Sequence, residues 1–181
     1  DDRRILAGRI ASGRLKVGDR ILFSPSNKTE RVRSIEAWNA DLPHEAEPGQ
    51  SIGITTDEQL FIERGEIASH EEDAPIETNV FHGRLFWLGR MPLKAGAQYR
   101  LKLATRDLPV TVQRIERVID ADSLSMLDGQ EVPRHGIGEA ILRTRGMLAL
   151  DEAARLARTG RFALSDGQNI LAGGLIDMHG Y

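Results

Sequence analysis

Several features that carry function in other proteins are missing or scarce in this 181-residue chain. There is no cysteine, which excludes disulfide bridges, thiolate metal sites and a cysteine nucleophile. The longest unbroken apolar stretch, residues 170–176, contains two glycines and is far shorter than the roughly 18 residues of a membrane span. Nine aromatic residues are too few and too scattered for a platform that stacks the bases of single-stranded nucleic acid. We therefore predict no membrane association and no such platform.

Charge is nearly balanced overall but unevenly distributed. The 24 basic and 27 acidic side chains give a net charge of -3 and a pI near 6.0, whereas nucleic-acid-binding domains usually have a pI above about 9. Residues 1–35 carry a net +5, residues 36–77 a net -11 and residues 80–120 a net +5. Two interpretations stay open, since charge blocks are either hydrated surface or complementary to a partner. In the second, an acidic partner would meet a basic strip made of Arg84, Arg90, Lys94, Arg100, Lys102 and Arg106.

Short strands separated by turns dominate the hydrophobic pattern. Over residues 99–103 apolar and polar side chains alternate, which is typical of a strand with one buried face. The alternation resumes up to Val112, but the next apolar residue, Ile115, comes three positions later and predicts a β-bulge. Only residues 151–158 favour a helix, with Asp151 as its cap. Strand-length segments repeated at about 8–12 residues predict an all-β fold of the sandwich or barrel kind.

The domain boundary is marked by composition. Residues 69–77 are acidic, poor in apolar side chains and contain a proline, which is typical of a linker. We predict a β module at residues 1–70, a linker at 71–77 and a second β module at 78–181. Both modules are large enough to fold as small barrels.

No motif in the chain predicts a catalytic, cofactor or metal site. Residues 49–53 match the G-x-S-x-G nucleophile elbow, but that motif needs a helix after the serine, and a strand-like run follows here. A hydrolase centred on Ser51 is kept only as a third hypothesis, since it needs histidine and acid partners. No glycine is followed by lysine, so the phosphate-binding loop G-x-x-x-x-G-K-[ST] is absent. The five histidines lack the spacing of metal ligands.

Several stretches resemble the second and third domains of translational GTPases of the elongation factor Tu type. Residues 7–19 (AGRIASGRLKVGD) resemble the signature hairpin of the small β-barrel that follows the GTP-binding domain in that family. Residues 47–54 (EPGQSIGI) and 62–68 (IERGEIA) are similar to later strands of that barrel. The closing residues, 160–176, resemble the last hairpin of the third domain. The resemblance implies two consecutive small β-barrels over almost the whole chain.

Within this superfamily, further stretches resemble the large GTPase subunit of sulfate adenylyltransferase. They are residues 32–39 (VRSIEAWN), 84–90 (RLFWLGR), 102–105 (KLAT), 115–120 (IERVID), 142–145 (LRTR) and 148–152 (LALDE). In that family GTP hydrolysis promotes adenylyl transfer from ATP to sulfate, which forms adenosine 5′-phosphosulfate and pyrophosphate. The adenylyl chemistry resides in a separate, smaller subunit.

This resemblance implies that the chain is a non-catalytic fragment without a cofactor of its own. GTP and Mg²⁺ would be bound by a domain of the parent that this sequence lacks. The implied partners are that GTP-binding domain and the smaller catalytic subunit, in the cytoplasm, without membrane or nucleic acid. The first strand of the first barrel is also expected to be missing, which leaves an unpaired edge near residues 3–10.

Four residues are predicted to lie at the partner interface: Trp38, Arg84, Trp87 and Arg90. Arginine forms bidentate ion pairs and tryptophan supplies a large buried area, which favours both types at interfaces. Ordinary core or surface structure is the alternative for each of the four. A second functional hypothesis is an RNA-binding module of a translation factor, which shares the fold but should bind with a salt-dependent affinity.

Overall fold

β-Strands account for most of the chain. The computed structural model describes residues 4–37 and 41–178, and these residues form sixteen strands, one short 3-10 helix and one short α-helix. The strand pairings between them are antiparallel. The all-β prediction is therefore confirmed. The chain divides between Pro75 and Ile76 into two compact parts, which we call the first and second units.

The first unit contains one five-stranded sheet and one small two-stranded sheet. Its strands are β1 (Leu6–Arg9), β2 (Leu15–Lys16), β3 (Arg20–Ser24), β4 (Lys28–Glu36), β5 (Glu45–Ala46), β6 (Ser51–Thr56) and β7 (Ile67–Ser69). The larger sheet has the order β1-β6-β4-β3-β7, and β2 pairs with β5. Its buried core consists of Ile21, Phe23, Val32, Ile35, Ala46 and Ile54.

Among the described residues, β1 forms one edge of this sheet, and the unpaired edge near residues 3–10 remains a prediction. Strand β1 pairs with β6 and is the terminal strand of the five. The opposite edge is β7, which pairs with β3.

A tight turn leads into β6. In this turn Gly49 adopts a φ of +90°, the left-handed conformation that glycine adopts most easily. Ser51 therefore begins a strand, which confirms the strand interpretation of the G-x-S-x-G match.

A polar clamp links the last residues of the first unit to β3. The Nε2 atom of His70 lies 2.9 Å from Oδ2 of Asp19, which also accepts the backbone N–H of Lys16 at 2.8 Å. Arg20 forms an ion pair of 3.3 Å with Glu71, the first residue of the 3-10 helix Glu71–Asp73. Burial raises the pKa of Asp19, but the hydrogen bonds from His70 and from the Lys16 amide together lower it by more than burial raises it. The pKa therefore lies below its ordinary value of 3.8.

The second unit is a closed barrel with two short additions. Its strands are β8 (Ile76–Trp87), β9 (Leu93–Lys94), β10 (Gln98–Leu103), β11 (Arg106–Ile119), β12 (Met126–Leu127), β13 (Glu131–Val132), β14 (Ile137–Leu150), β15 (Arg161–Ser165) and β16 (Ile170–Ile176). Six strands follow the order β10-β15-β16-β8-β14-β11, and β10 pairs again with β11 to close the circle. Strand β12 pairs with the end of β11, and β9 pairs with β13.

Alternation along the strands fills the barrel interior. The largest fully buried side chains of this unit are Phe81, Leu85, Trp87, Leu93, Leu101, Leu142, Leu148, Leu150, Leu164 and Ile176. The pairing of β11 with β14 shifts by one residue between Val112 and Arg114, which confirms the bulge predicted from the sequence. A second shift follows between Ile115 and Arg117. Such bulges bend a strand and help a sheet to close.

One aromatic ring in the core depends on two glycines. The Phe162 side chain is buried and meets Phe81 edge-on, with ring centroids 5.6 Å apart. A Cβ atom at Gly83 would lie 2.7 Å from Cζ of Phe162, and one at Gly174 would lie 2.3 Å from the same atom. Both glycines therefore leave the space that the ring occupies.

The helix predicted at residues 151–158 is wrong in position. The structure has a single helical turn, α1 (Ala157–Gly160), and no side chain caps its start. Asp151 is instead buried, and its Oδ2 accepts a hydrogen bond of 2.6 Å from the Thr159 hydroxyl. A cap must lie next to the first turn, and Asp151 is held six residues before it.

Candidate interaction surface on the second unit

A row of alternating exposed residues leaves the barrel at the end of β8. Arg84, Phe86, Leu88 and Arg90 are exposed, whereas the intervening residues are buried. This alternation is the period of two of an extended chain, in which successive side chains point to opposite faces. Phe86 is 39% exposed and Leu88 is 43% exposed, although both are large apolar residues. We call these four residues the β8 stripe.

The first arginine of the stripe is held by a buried carboxylate. Nε and Nη2 of Arg84 donate to Oε1 of Glu139 at 3.0 and 2.7 Å. Glu139 is on β14, where it pairs with Arg84 of β8 on one side and with Arg117 of β11 on the other. The Nε atom of Arg117 is 3.5 Å from Oε2 of Glu139. The Glu139 side chain is only 7% exposed, whereas both arginine side chains are more than half exposed. Two arginines thus share one carboxylate, and the cluster keeps one net positive charge at the surface.

The far end of the stripe is fixed by main-chain hydrogen bonds. Trp87 N–H donates to Gly136 O at 2.9 Å, and its carbonyl accepts His135 N–H at 2.7 Å. Leu88 N–H donates to Leu171 O at 2.7 Å. The indole Nε1–H of Trp87 donates to Met91 O at 2.8 Å. These bonds position Leu88 and the following loop although that loop is not a strand.

A glycine makes this loop possible. A Cβ atom at position 89 would lie 2.5 Å from the Trp87 ring, so the backbone passes directly over the indole. The next two residues, Arg90 and Met91, are exposed, and Met91 is 74% exposed. The core tryptophan therefore supports the loop that presents Arg90.

Neighbouring residues extend the apolar part of the surface. The Phe86 ring is stacked on the His135 ring, with centroids 6.3 Å apart and an angle of 3° between the planes. On the other side, Gly173 of β16 lies opposite Phe86, and a Cβ atom there would meet nothing within 4 Å. Leu175, opposite Arg84 on the same strand, is also exposed. Phe86 thus lies beside open space over Gly173 on the barrel face.

Comparison with known families assigns the second unit. A family model described as GTP-eEF1A C-terminal domain-like matches residues 80–177, which is more than half of the chain. The chain belongs to this family. The matched residues cover β8 from its middle onward and thus include the whole β8 stripe.

Curated relatives of this chain share one name, which is more specific than that of the family. Sulfate adenylyltransferase subunit 1 of Photobacterium profundum is 33% identical over 166 residues, which cover 91% of this chain and 34% of the relative. The protein of the same name from Shewanella oneidensis is 34% identical over 170 residues, covering 91% and 35%. The resemblance noted in the sequence is therefore confirmed. The chain spans about a third of the length of the curated relatives it matches.

Solved structures agree on the fold. The structure of sup35 complexed with GDP has a TM-score of 0.88 and 18% sequence identity, and it covers 98% of this chain and 45% of sup35. The GMPPNP complex of sup35 has a TM-score of 0.82 and 19% identity, covering 95% and 43%. At this identity the likeness concerns the fold alone.

The residues predicted for the interface occupy different places in this family member. Arg84 and Arg90 are the two ends of the β8 stripe. Trp87 is 1% exposed and packs in the barrel core, so its side chain supports the surface from behind. Trp38 lies outside the described residues. The interface role of these residues remains a prediction, and Phe86 and Leu88 were not anticipated.

Several members of the basic strip predicted from the sequence form ion pairs within their own unit. Lys94 pairs with Glu131 at 2.8 Å. Nε of Arg100 and Nζ of Lys102 contact the two carboxylate oxygens of Asp107 at 2.6 and 2.7 Å. Hydrogen bonds from Lys102 and Arg100 hold the pKa of Asp107 below its ordinary value of 3.8. These pairs leave less free positive charge on this strip than its sequence suggests.

Neither a metal-binding cluster nor a membrane-spanning helix occurs in the part of the chain that the structure describes. Residues 4–37 and 41–178 contain no group of three or more His, Asp or Glu side chains arranged to hold a metal ion. Within the same residues there is no helix that is long and apolar enough to cross a membrane.

Proposed function

We propose that this chain is a two-barrel, non-catalytic part of the GTPase subunit of a sulfate adenylyltransferase. The parent enzyme would form adenosine 5′-phosphosulfate and pyrophosphate from ATP and sulfate in the cytoplasm, with GTP hydrolysis promoting the reaction. The observation that carries the proposal is the similarity of 91% of the chain to about a third of sulfate adenylyltransferase subunit 1.

The proposed role is mechanical coupling. GTP and Mg²⁺ would bind to another domain of the parent subunit, because the present sequence contains no phosphate-binding loop. Switching proteins convert a change at a bound phosphate into a change of domain packing. A barrel closed by six strands is rigid enough to transmit such a movement to the smaller catalytic subunit.

A binding experiment tests this role. The purified tagged chain is mixed with the smaller subunit of a sulfate adenylyltransferase, with and without a separately supplied GTP-binding domain. We expect the smaller subunit to be retained in at least one of the two settings. Failure to bind in both settings would overturn the coupling role.

The alternative is an RNA-binding role in a translation-factor-like GTPase. The eEF1A-type family match favours this second candidate, and the net charge of -3 opposes it. Filter binding of tRNA at two salt concentrations separates the two. Firm retention that falls steeply with salt would support RNA binding and contradict the adenylyltransferase role.

A further inference from the structure

We propose that the β8 stripe is the docking surface of the second unit, and that it binds a protein surface with an apolar centre flanked by carboxylates. This inference rests on the proposed function, because the partner it assigns is the smaller subunit. Its arguments come from exposure, charge and rigidity at Arg84, Phe86, Leu88 and Arg90.

The composition of the stripe favours a protein partner. Interfaces between proteins have an apolar core and a polar rim, and they are enriched in aromatic residues and arginine. Here Phe86 and Leu88 form the apolar centre, and the two arginines lie at its ends. A surface that binds a phosphate backbone would instead carry a row of positive charges without an apolar interruption.

Charge indicates what the partner must carry. Arg84 and Arg117 share the single carboxylate of Glu139. Among the described residues, neither Arg90 nor Arg134 has an acidic partner. The region around the stripe is therefore net positive, and a partner with carboxylates is complementary to it.

Spacing gives the size of the complementary feature. Arg90 lies six positions after Arg84, and at roughly 3.3 Å per residue an extended chain would place their Cα atoms about 20 Å apart. Because the chain leaves the strand after Trp87, this length is an upper limit, and a partner would place two acidic groups no farther apart than this, with apolar side chains over Phe86 and Leu88. This length fits within one side of a standard interface of about 800 Å².

Rigidity makes the stripe suitable for docking. The hydrogen bonds of Trp87 and Leu88 to three other segments fix its backbone before any partner arrives. A preorganised surface loses less conformational entropy on binding. Leu88 and Arg90 are therefore the residues at which substitution should weaken binding with least effect on the fold.

The test compares stripe variants with matched controls in the same chain. Leu88→Asp and Arg90→Glu change exposed stripe residues. Met147→Asp and Arg145→Glu introduce the same acidic side chains at exposed positions of β14, which lie about 33 and 26 Å along that strand from Ile137, the residue paired with Phe86. The affinity for the smaller subunit is measured by titration calorimetry, and circular dichroism confirms that each variant is folded.

We expect each stripe variant to weaken binding at least tenfold and each control to change it less than threefold. If the unmodified chain does not bind the smaller subunit either with or without the GTP-binding domain, the proposed function and the surface both fail. If it binds and the stripe variants bind equally well, only the surface assignment fails. Loss of tRNA binding in Arg90→Glu, or of self-association in Leu88→Asp without loss of subunit binding, would assign the stripe to RNA or to a second copy and overturn the proposal.

Discussion

Replacing Gly174 by alanine tests how the second unit is packed. The added methyl group would lie 2.3 Å from Cζ of Phe162, so the ring has to move by about 1 Å to reach an ordinary contact distance of 3.4 Å. It cannot move easily, because it already fills the space left by Gly83 and meets Phe81 edge-on. The strain must therefore spread into the backbone or into the core.

The magnitude follows from the cost of an overfilled core. Extra methyl groups in well-packed interiors destabilise proteins by about 1–3 kcal/mol, and the poor freedom of this ring favours about 2–3 kcal/mol. For a barrel of this size, that loss lowers the midpoint of thermal unfolding by at least about 8 °C. The adjacent Gly173 is the matched control, since a Cβ atom there would meet nothing within 4 Å. Gly173→Ala should change stability by no more than about 0.5 kcal/mol.

Urea unfolding monitored by fluorescence measures the effect. Trp87 lies in the barrel core, and a Trp38→Phe background leaves it as the only tryptophan. Equal midpoints for Gly174→Ala and Gly173→Ala would contradict the packing described above. Combining Gly174→Ala with Phe162→Leu should cost less than the sum of the two single changes, because the ring that clashes is gone.

Three further perturbations probe the polar contacts. Glu139→Gln should destabilise the second unit by about 1–2 kcal/mol, because a neutral amide pairs poorly with two arginines. The exposure of both arginines limits the loss, and chemical denaturation measures the free energy of unfolding. His70→Ala should raise the pKa of Asp19 toward 3.8 in an NMR titration, and an unchanged pKa would contradict the clamp. Because the folded pKa of Asp19 is depressed, the stability that this group contributes is present above pH 3.8 and is lost as the pH falls through the folded pKa. Thr159→Val should cost about 1–3 kcal/mol by removing the hydrogen bond to buried Asp151, whereas an unchanged unfolding midpoint would show that this bond is not needed.

The local β structure follows directly from the sequence, whereas the closure of the barrel does not. The three-residue step between Val112 and Ile115 predicted a bulge that the β11–β14 pairing contains. The helix expected from Asp151 onward is reduced to one turn at Ala157–Gly160, and Asp151 accepts a hydrogen bond from Thr159 instead of capping a helix. The return pairing of β10 with β11 depends on contacts between strands, and no periodicity within one strand encodes them.

The candidate surface was anticipated in part, for a similar reason. Charge alone singled out Arg84 and Arg90, which the structure places at the surface. Trp87 was selected for its size, but the alternation that starts at buried Leu85 assigns it to the interior and Phe86 to the exterior. Counting positions by parity would have found Phe86. Leu88 continues the same alternation but lies beyond the end of β8, where main-chain hydrogen bonds that the sequence alone does not reveal fix its position.

The return pairing of β10 with β11 has a consequence for how recognition can diversify. Each of the six barrel strands is already hydrogen-bonded to a strand on both sides, so a partner chain finds no unpaired strand edge there to which it can add a strand. Specificity on this barrel must be carried by side chains, which can be exchanged without disturbing the ring that supports them. In the first unit, β1 is a terminal strand of an open sheet among the described residues. The two units therefore differ in how a partner chain can bind them, by side chains on the barrel and by main-chain pairing at such an edge.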